Sequence, residues 1–409
     1  MSDKLPEVLL LVVDAGGGHR AAATALVAAA AERGCPFRFH VENIQEIFGG
    51  LDTVRRLSGI SVESLYNALQ RRRLTSLMDP LLRLLHLGVW LKRKGLRREM
   101  TRLLVARRPA AVVSVVPNFN AVVRDAVTSS LPGVPFGVVL TDYADLPPHF
   151  WMERGLDRVA VASDRAEAQA AALGLPPDRV TRTSGMILHP RFYPKAGPDA
   201  RARVRSELGF SSEDFVVLVL FGGKGSPELE PLCRALLREA PEARVIALSG
   251  QNPKLERKIG QVAATSGGRL RSLGFSDRVA DLLAASDILC SKPGPGSIAE
   301  ALHQGVPVIV PRNRHTIPQE RFNTDLVLSL GVGLVVSDWT EMPSRVVALA
   351  RDSALRDRLR SAVAALPPNE AVWETLQLVG RMLEPKDVSW LTEASERGVE
   401  GETAPGPRA

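Results

Sequence analysis

The sequence has few cysteines and no long apolar run. Its three cysteines, Cys35, Cys233 and Cys290, lie far apart among 409 residues and have no metal-ligand or redox spacing. A disulfide framework and a zinc site are therefore not expected, whereas a reducing compartment is. The first apolar stretch, residues 8–13, is too short for a signal peptide, and no run approaches the roughly 18 residues of a membrane-spanning helix. We expect a protein that is not exported and that is soluble or peripheral to a membrane.

Positive charge is concentrated in one segment. Between Arg71 and Arg108 there are twelve Lys or Arg residues and only two acids, Asp79 and Glu99. The formal net charge of the whole chain is +7, so the remaining residues carry slightly more acids than bases. The high isoelectric point therefore reports one local basic region, and we expect its partner to be anionic.

Short apolar runs alternate with helical patterns along the whole chain, which predicts an α/β fold built from βαβ units around parallel sheets. The length of 409 residues favours two domains. A stretch rich in proline and glycine with few apolar residues places the linker near residues 190–200. The predicted division is a Rossmann-like domain over residues 1–195, a second over 196–385, and a polar, disordered tail over 386–409.

Buried strands are predicted from the apolar runs of both domains. In the first domain these are residues 8–13, 111–116, 134–140 and 158–162, and in the second they are 215–221, 244–248, 269–273, 288–290, 306–310 and 333–336. Helical patterns separate them, for example at residues 21–33, 227–239 and 297–304.

The first predicted strand is followed by the segment DAGGGHR, residues 14–20, and an alanine-rich helix. Glycines at a strand-to-helix turn let a ligand approach the amides at the positive end of a helix. The spacing is not Gly-x-Gly-x-x-Gly, and no Gly-Lys-Ser/Thr follows, so dinucleotide and P-loop interpretations are weak. Taken alone, the glycine run is explained equally well by a tight turn and by a ligand-binding site. His19 is a candidate general base, although a surface histidine without a role explains it equally well.

The densest signal lies between Leu273 and Asn323. After a short predicted strand, residues 291–300 read SKPGPGSIAE, so free amides and a hydroxyl stand at the start of a helix, an arrangement suited to a diphosphate. Ser297 and Glu300 also fit a capping box, Ser-x-x-Glu, whose only purpose is helix initiation. The alternative is a carboxylate that accepts both hydroxyls of a ribose. A capping box alone does not explain the four Pro and Gly residues before it.

The stretch from Gly274 to Asn323 resembles the donor-binding half of glycosyltransferases that include monogalactosyldiacylglycerol synthase, bacterial diacylglycerol glucosyltransferases and the peptidoglycan N-acetylglucosaminyltransferase. In the first half, the Gly-Gly-Gly-His-Arg segment at 16–20 and the segment from Thr141 to Trp151 are similar to acceptor-domain motifs of the diacylglycerol branch. The resemblance covers roughly residues 8–384 in the same order. It implies a glycosyltransferase type B fold, two Rossmann-like domains facing a central cleft.

The resemblance also implies roles for individual residues. The donor side comprises the uracil-binding pair Gly274 and Phe275, the diphosphate-binding Gly294, Gly296 and Ser297, the ribose-binding Glu300, and Gln319, Glu320 and Asn323 near the donor sugar. Gln251 stands where the family has an arginine, so the phosphate contact expected of the segment 250–252 is in doubt. On the acceptor side lie the loop glycines Gly16, Gly17 and Gly18 and the catalytic candidates His19 and Asp142, of which His19 is favoured as the base.

The implied activity is inverting transfer of a hexose from a UDP-sugar to a membrane lipid such as diacylglycerol, without a metal ion or cofactor. No two aspartates in the chain stand two residues apart, so the Asp-x-Asp metal site of the other large glycosyltransferase architecture is not expected. Competing interpretations are an N-acetylglucosamine transferase, a UDP-sugar 2-epimerase of the same fold and an inactive sugar-nucleotide sensor. No nucleic-acid partner is expected.

A lipid acceptor gives the basic segment a role at an anionic membrane surface. In the basic segment, leucines and a tryptophan stand beside the charges. A basic helix face that is only solvated does not require such apolar residues. The residues predicted to dock are Arg71, Arg72, Arg73, Trp90, Lys92, Arg93 and Lys94. Part of the apolar set is expected to pack on the first domain. The expected location is the cytoplasm, at the inner face of the membrane.

Overall fold

The chain forms two six-stranded sheets in which every strand pairing is parallel. The computed structural model describes residues 5–14, 17–49, 78–194, 198–314 and 316–383, so the predicted tail over 386–409 lies outside the described residues.

The first sheet has the order β2-β1-β3-β4-β5-β6, with β1 (Glu7–Val12), β2 (Arg38–Asn43), β3 (Ala111–Ser114), β4 (Phe136–Val139), β5 (Arg158–Val161) and β6 (Val180–Arg182). The second has the order β12-β11-β10-β7-β8-β9, with β7 (Phe215–Leu220), β8 (Ala243–Leu248), β9 (Leu270–Leu273), β10 (Ile288–Ser291), β11 (Val308–Pro311) and β12 (Gly333–Val336). The predicted pair of Rossmann-like domains is confirmed.

Helices cover both faces of each sheet. In chain order the described helices are α1 (Gly18–Glu32), α2 (Ile44–Phe48), α3 (Met78–Arg107), α4 (Asn120–Ser130), α5 (Asp164–Ala172), α6 (Pro198–Glu207), α7 (Leu229–Glu239), α8 (Pro253–Ala264), α9 (Val279–Ala284), α10 (Pro295–His303), α11 (Pro318–Leu330), α12 (Met342–Arg351), α13 (Ser353–Ala364) and α14 (Ala371–Leu383).

The central strands are buried on both faces, which explains their uninterrupted apolar sequences. In β1, Val8 and Leu10 pack into one core with residues of α1, and Leu9 and Leu11 pack into the opposite core with residues of α3. All four side chains are fully buried. An apolar run without alternation was therefore the correct signal for these strands.

Two edge strands, β2 and β6, were missed by the sequence prediction. Strand β2 has no residue that is fully buried, and its sequence RFHVEN is polar at four of its six positions. Strand β6 has three residues, VTR, none of them buried. Neither gives the apolar run on which the prediction relied, because an edge strand lies outside the core that covers the centre of a sheet.

The last described helix, α14, packs on the first sheet. Val372, Leu376 and Val379 lie in the same core as Val8 and Leu10. The carboxylate of Glu374 accepts hydrogen bonds from the amide and the hydroxyl of Ser184, at 2.7 Å and 3.0 Å. The sequence division had included this segment in the second domain. Its apolar positions follow a helical period but do not show which sheet they cover.

Loops at the carboxyl ends of both sheets face each other. In parallel sheets these ends lie at one edge, which is where α/β folds bind ligands. The loops after β1 and β4 of the first sheet lie near the second domain, since the charge of Lys224 acts on Asp14 and the charge of Glu320 acts on Asp142. Beside this cleft, the guanidinium of Arg165 on α5 lies 5.0 Å from the ring centre of Phe322 on α11, which is a direct contact between the domains.

Candidate functional site

His19 occupies the second position of α1, directly after the glycine loop. Gly17 caps this helix with φ of +90°, a conformation that favours glycine. Gly18 begins the helix, and Gly16 lies outside the described residues. The Nδ1 atom of His19 lies 2.9 Å from the hydroxyl of Thr141, and its ring centre lies 5.6 Å from that of Trp151. The glycine loop therefore brings His19 to the loop that follows β4.

The His19 imidazole is held in its neutral form. Burial lowers the pKa of His19 to about 4, against the opposing effect of a hydrogen bond to the backbone carbonyl of Val115. A neutral imidazole has one donor nitrogen and one acceptor nitrogen. The Val115 carbonyl can take the N–H, and the Thr141 hydroxyl can donate to the other nitrogen, so both are engaged within the first domain.

Asp142 lies beside His19 and is oriented by Trp151. The indole Nε1 of Trp151 donates to Oδ2 of Asp142 at 2.9 Å. Asp145 fixes this loop, since its carboxylate accepts the amides of Trp151 at 2.7 Å and His149 at 3.1 Å. Burial raises the pKa of Asp142 to about 7 against the effect of the Trp151 hydrogen bond, and the carboxylates of Glu320 and Asp145 raise it further. Because Glu320 belongs to the second domain, Asp142 faces the cleft.

The predicted diphosphate turn follows β10 and leads into α10. The helix begins at Pro295 with Gly294 as its N-cap, and no side chain caps it. Ser297 is already inside the helix and its hydroxyl donates to the carbonyl of Gly294 at 3.2 Å. The capping-box explanation of Ser297 and Glu300 is therefore wrong. A side chain at Gly296 would meet no atom within 4 Å, so the first turn of the helix opens onto free space.

Glu300 lies one turn into α10 and is half-buried. Burial raises the pKa of Glu300 to about 7, and the positive charge of Arg191 opposes this shift. Arg191 belongs to a short 3₁₀ turn, Pro190–Phe192, at the start of the interdomain linker. The sequence analysis did not identify Arg191, because a single arginine in a proline-rich linker carries no signal until the fold brings it beside α10.

The predicted residues on α11 have different surroundings. Asn323 is fully buried and its Nδ2 donates to the carbonyl of Pro293 at 2.7 Å, so it holds the diphosphate turn. Gln319 is buried, and its Oε1 has no partner among the described residues. Burial raises the pKa of Glu320, and the ammonium group of Lys292 opposes that shift. The sequence analysis quoted Lys292 within the turn but gave it no role.

Gly274 and Phe275 follow β9 at the rim of the second domain. Phe275 is 64% exposed, and an exposed aromatic ring can stack on a planar base. Gly274 packs against Glu256, whose carboxylate lies 2.8 Å from the position that a Cβ would take.

A second glycine loop, residues 222–225, was missed by the sequence analysis. It follows β7, and the carbonyl of Gly223 accepts the amide of Gln251 at 2.8 Å. Gly250 has φ of +60°, and a Cβ there would collide with Gly223. Lys224 of this loop lies near Asp14 of the first domain. The pKa of Asp14 is lowered mainly by the hydrogen bond from Arg20, and the charge of Lys224 lowers it further. The signal was present in the segment FGGKGS but does not match a familiar motif.

The structure therefore brings together most of the predicted catalytic and donor-side residues. The charge of Glu320 acts on Asp142 from the other domain, His19 and Asp142 both contact Trp151, and Glu300 lies on the helix that follows the diphosphate turn. The membrane-docking residues are elsewhere. Trp90, Lys92, Arg93 and Lys94 lie on α3, and Arg71, Arg72 and Arg73 lie outside the described residues.

Residues 216–363, which make up most of the second domain, match the model of the glycosyltransferase family 28 C-terminal domain. The structure also resembles HepE from Anabaena, solved with UDP and glucose, with a TM-score of 0.54, 16% identity and coverage of 93% of this chain and 100% of that chain. This likeness concerns the fold.

Two groups of curated proteins are similar in sequence. Monogalactosyldiacylglycerol synthase of Spinacia oleracea is 28% identical over 258 residues, which is 61% of this chain and 48% of that protein. Processive diacylglycerol beta-glucosyltransferase of Bacillus pumilus is 25% identical over 235 residues, which is 57% of this chain and 59% of that protein. The match thus spans about half the length of these relatives. The resemblance found in the sequence is confirmed.

Proposed function

We propose that the protein transfers a hexose from a UDP-sugar to a hydroxyl group of a membrane lipid such as diacylglycerol. The observation that carries this proposal is the position of Asp142, which accepts the Trp151 indole N–H at 2.9 Å and lies near enough to the donor-side helix α11 for the charge of Glu320 to raise its pKa. The relatives whose names state an activity transfer sugars in diacylglycerol metabolism.

The donor is held by the second domain in this proposal. Amides at the start of α10 and the ammonium group of Lys292 stabilise the diphosphate, where negative charge grows as UDP leaves. Glu300 accepts the ribose hydroxyls, Phe275 stacks on the uracil, and Gln319 with Glu320 binds the hexose. Fixed positive charge of this kind can replace a divalent ion, which supports transfer without a metal.

We propose Asp142 as the base that takes the acceptor proton. Its pKa of about 7 leaves a large fraction ionised near neutral pH, which is the range in which a general base is most effective. Both nitrogens of His19 have partners, and its pKa of about 4 makes it a weak base. His19 then orients Thr141 and packs against Trp151, although the sequence analysis favoured it as the base.

The reaction is a single displacement. The acceptor oxygen attacks the anomeric carbon as its proton passes to Asp142, and the bond from that carbon to the diphosphate oxygen breaks. Attack on the face opposite the leaving group inverts the configuration. The donor sugar is proposed to be glucose or galactose, as in the relatives' names, with N-acetylglucosamine as the alternative.

UDP release separates this proposal from its competitors. The wild-type protein should release UDP from UDP-glucose or UDP-galactose only when a lipid acceptor is present. An epimerase would change the configuration of UDP-N-acetylglucosamine without an acceptor, and a sensor would bind UDP-sugars without turnover. Acceptor-independent conversion of the donor would contradict the proposal.

Helix α3 supports docking on an anionic membrane. Leu87, Trp90 and Leu91 are 50%, 57% and 66% exposed, and the guanidinium of Arg93 lies 5.6 Å from the Trp90 ring centre. Further along the helix, Leu96, Met100 and Leu104 are buried in the core of the first domain. Val89, one of the apolar residues beside the charges, packs against the same core, as was expected for part of that set. None of the described helices combines the length and apolar content that a membrane span requires.

Charge reversal at Lys92, Arg93 and Lys94 should abolish binding to anionic vesicles. Each cation near an anionic surface contributes about 1 kcal/mol, so three reversals remove several kcal/mol. Co-sedimentation at rising salt is the measurement, with wild-type binding expected to require anionic lipid and to weaken with ionic strength. The matched control reverses Arg234 and Arg238 on α7, two exposed cations of the second domain. Equal sedimentation with neutral and anionic vesicles would refute docking by charge.

A further inference from the structure

Three loops meet at the middle of the second sheet. Strand β7 lies between β8 and β10, so the order of the strands reverses beside it. Leu220 at the end of β7 is in register with Leu248 of β8 and with Ser291 of β10, so the three strands end together. In α/β sheets, ligands bind outside the carboxyl ends of the strands at such a reversal. The loops after β7, β8 and β10 therefore border the position where this fold binds a ligand.

The loop after β7, residues 222–225, lies next to the diphosphate turn. A Cβ at Gly222 would lie 3.7 Å from the Nζ atom of Lys292, the lysine to which the proposed function gives a role at the diphosphate. A Cβ at Gly223 would meet no atom within 4 Å, so a ligand can approach the backbone of the loop there. The next residue, Lys224, is exposed. A second lysine therefore stands at this end of the sheet, on a different loop from Lys292.

Lys224 lies on the side of the loop that faces the first domain. After the hydrogen bond from Arg20, the charge of Lys224 also lowers the pKa of Asp14. The carboxylate of Asp14 is already occupied, because it accepts two hydrogen bonds from the guanidinium of Arg20 and one from the amide of Asn43, at 3.1 Å. The charge of Lys224 is therefore not required to neutralise Asp14 and is available to an anion in the cleft.

The loop after β8 packs against the loop of Lys224 but supplies no charge. The amide of Gln251 donates to the carbonyl of Gly223 at 2.8 Å, and a Cβ at Gly250 would lie 3.1 Å from the amide nitrogen of Gly225. Gln251 itself is exposed and uncharged. A side chain at position 251 therefore starts beside Lys224, so a cation introduced there could act on the same ligand.

We propose that Lys224 binds the diphosphate of the donor together with Lys292, so that positive charge reaches it from two separate loops. The proposal rests on the function proposed above and adds a donor-binding residue outside the turn before α10. Neighbouring ammonium groups repel each other, whereas a diphosphate between them attracts both. Lys224 should therefore contribute to the binding of UDP and not to the binding of uridine, which has no phosphate.

Replacing Lys224 with methionine tests this assignment, because methionine removes the charge and keeps most of the length of the side chain. Lys224→Met should weaken UDP binding about tenfold, the effect of losing one charge-assisted hydrogen bond. Its affinity for uridine should equal that of the wild type. Titration calorimetry with UDP and with uridine is the measurement. The matched control is Lys258→Met, which removes an exposed lysine from α8 of the same domain and should leave both affinities unchanged.

A compensating substitution separates the charge of Lys224 from the structure of its loop. Gln251→Arg, combined with Lys224→Met, places a cation on the neighbouring loop, and arginine binds phosphate through charge-assisted hydrogen bonds. The double variant should recover UDP affinity to within about threefold of the wild type, since one such hydrogen bond replaces another. A cation on a different loop would not repair a glycine loop that had lost its structure.

UDP binding also distinguishes this inference from the proposed transfer. If the wild type binds UDP with the help of Lys224 but transfers no sugar, the proposed transfer fails and the role of Lys224 stands. Wild-type UDP affinity in folded Lys224→Met, an equal loss of uridine affinity, or no recovery with Gln251→Arg would overturn the inference. A wild-type protein that binds no UDP would refute both proposals.

Discussion

Replacing Asp142 with asparagine is expected to lower kcat by about 10²–10⁴-fold, the usual contribution of a general base, with little change in UDP affinity. Asparagine has the same shape and can still accept the Trp151 indole N–H through its oxygen, so the loop should be preserved. The lost property is the ability to take a proton. UDP affinity should persist because the donor is bound by the second domain.

The pH profile identifies the base. A carboxylate acts as a base only when ionised, so a pKa of about 7 at Asp142 predicts that kcat at saturating UDP-sugar falls as the pH drops through 7. The pKa of Glu300 is also raised to about 7, but its ionisation acts on donor binding and therefore on KM. His19, with a pKa of about 4, does not change charge in that range. The limb near pH 7 should be present in the wild type and absent from the residual activity of D142N.

Two further variants control this experiment. Asp125→Asn changes an exposed aspartate on α4 and should leave kcat unchanged. His19→Gln should lower kcat less than Asp142→Asn does, because glutamine can still hydrogen-bond Thr141. A larger loss for His19→Gln, with the acidic limb retained in D142N, would assign the base to His19.

Replacing Glu300 with alanine is expected to weaken UDP binding by about 10²–10⁴-fold. Two hydrogen bonds from ribose hydroxyls to an ionised carboxylate contribute about 1.5–3 kcal/mol each, and every 1.4 kcal/mol corresponds to a factor of ten. Titration calorimetry with UDP is the measurement. The control is Glu213→Ala, which removes an exposed carboxylate from a loop of the same domain.

A stability measurement distinguishes a loss of UDP affinity in the Glu300 variants from unfolding of the protein. Burial raises the pKa of Glu300 from 4.5 to about 7, so ionisation is less favourable in the folded state than in the unfolded state. The raised pKa of Glu300 contributes to the free energy of unfolding, and this contribution is fully present below pH 4.5. It is lost as the pH rises through 7, by at most about 3 kcal/mol. Glu300→Gln should therefore be more stable than the wild type at pH 8, by thermal unfolding, and yet bind UDP weakly. Wild-type UDP affinity in either variant would mean that Glu300 has no role in donor binding.

The central strands and the diphosphate turn could be predicted because their signals are local. Strand β1 is buried on both faces and reads as an apolar run, and the turn before α10 concentrates Pro and Gly at a strand end. The extent of α10 was not predicted, because Ser297 and Glu300 satisfy the capping-box pattern although Gly294 is the N-cap.

The parts that could not be predicted depend on tertiary contacts. The apolar face of α14 does not show that it covers the first sheet, and Arg191 becomes relevant only where the linker meets α10. His19 was favoured as the base from its residue type together with the resemblance to the family. Its burial and its hydrogen bond to Thr141, which weaken that role, arise from segments more than one hundred residues apart in sequence.

The most direct test of the account is mass analysis of the products formed from UDP-glucose, UDP-galactose and UDP-N-acetylglucosamine with a total lipid extract. The account predicts a new monohexosyl glycerolipid from UDP-glucose or UDP-galactose, which is absent when D142N replaces the wild type. It also predicts that the glycosidic configuration is opposite to that of the donor. A product whose configuration is retained, or UDP-sugar consumption that yields no glycolipid, would contradict it.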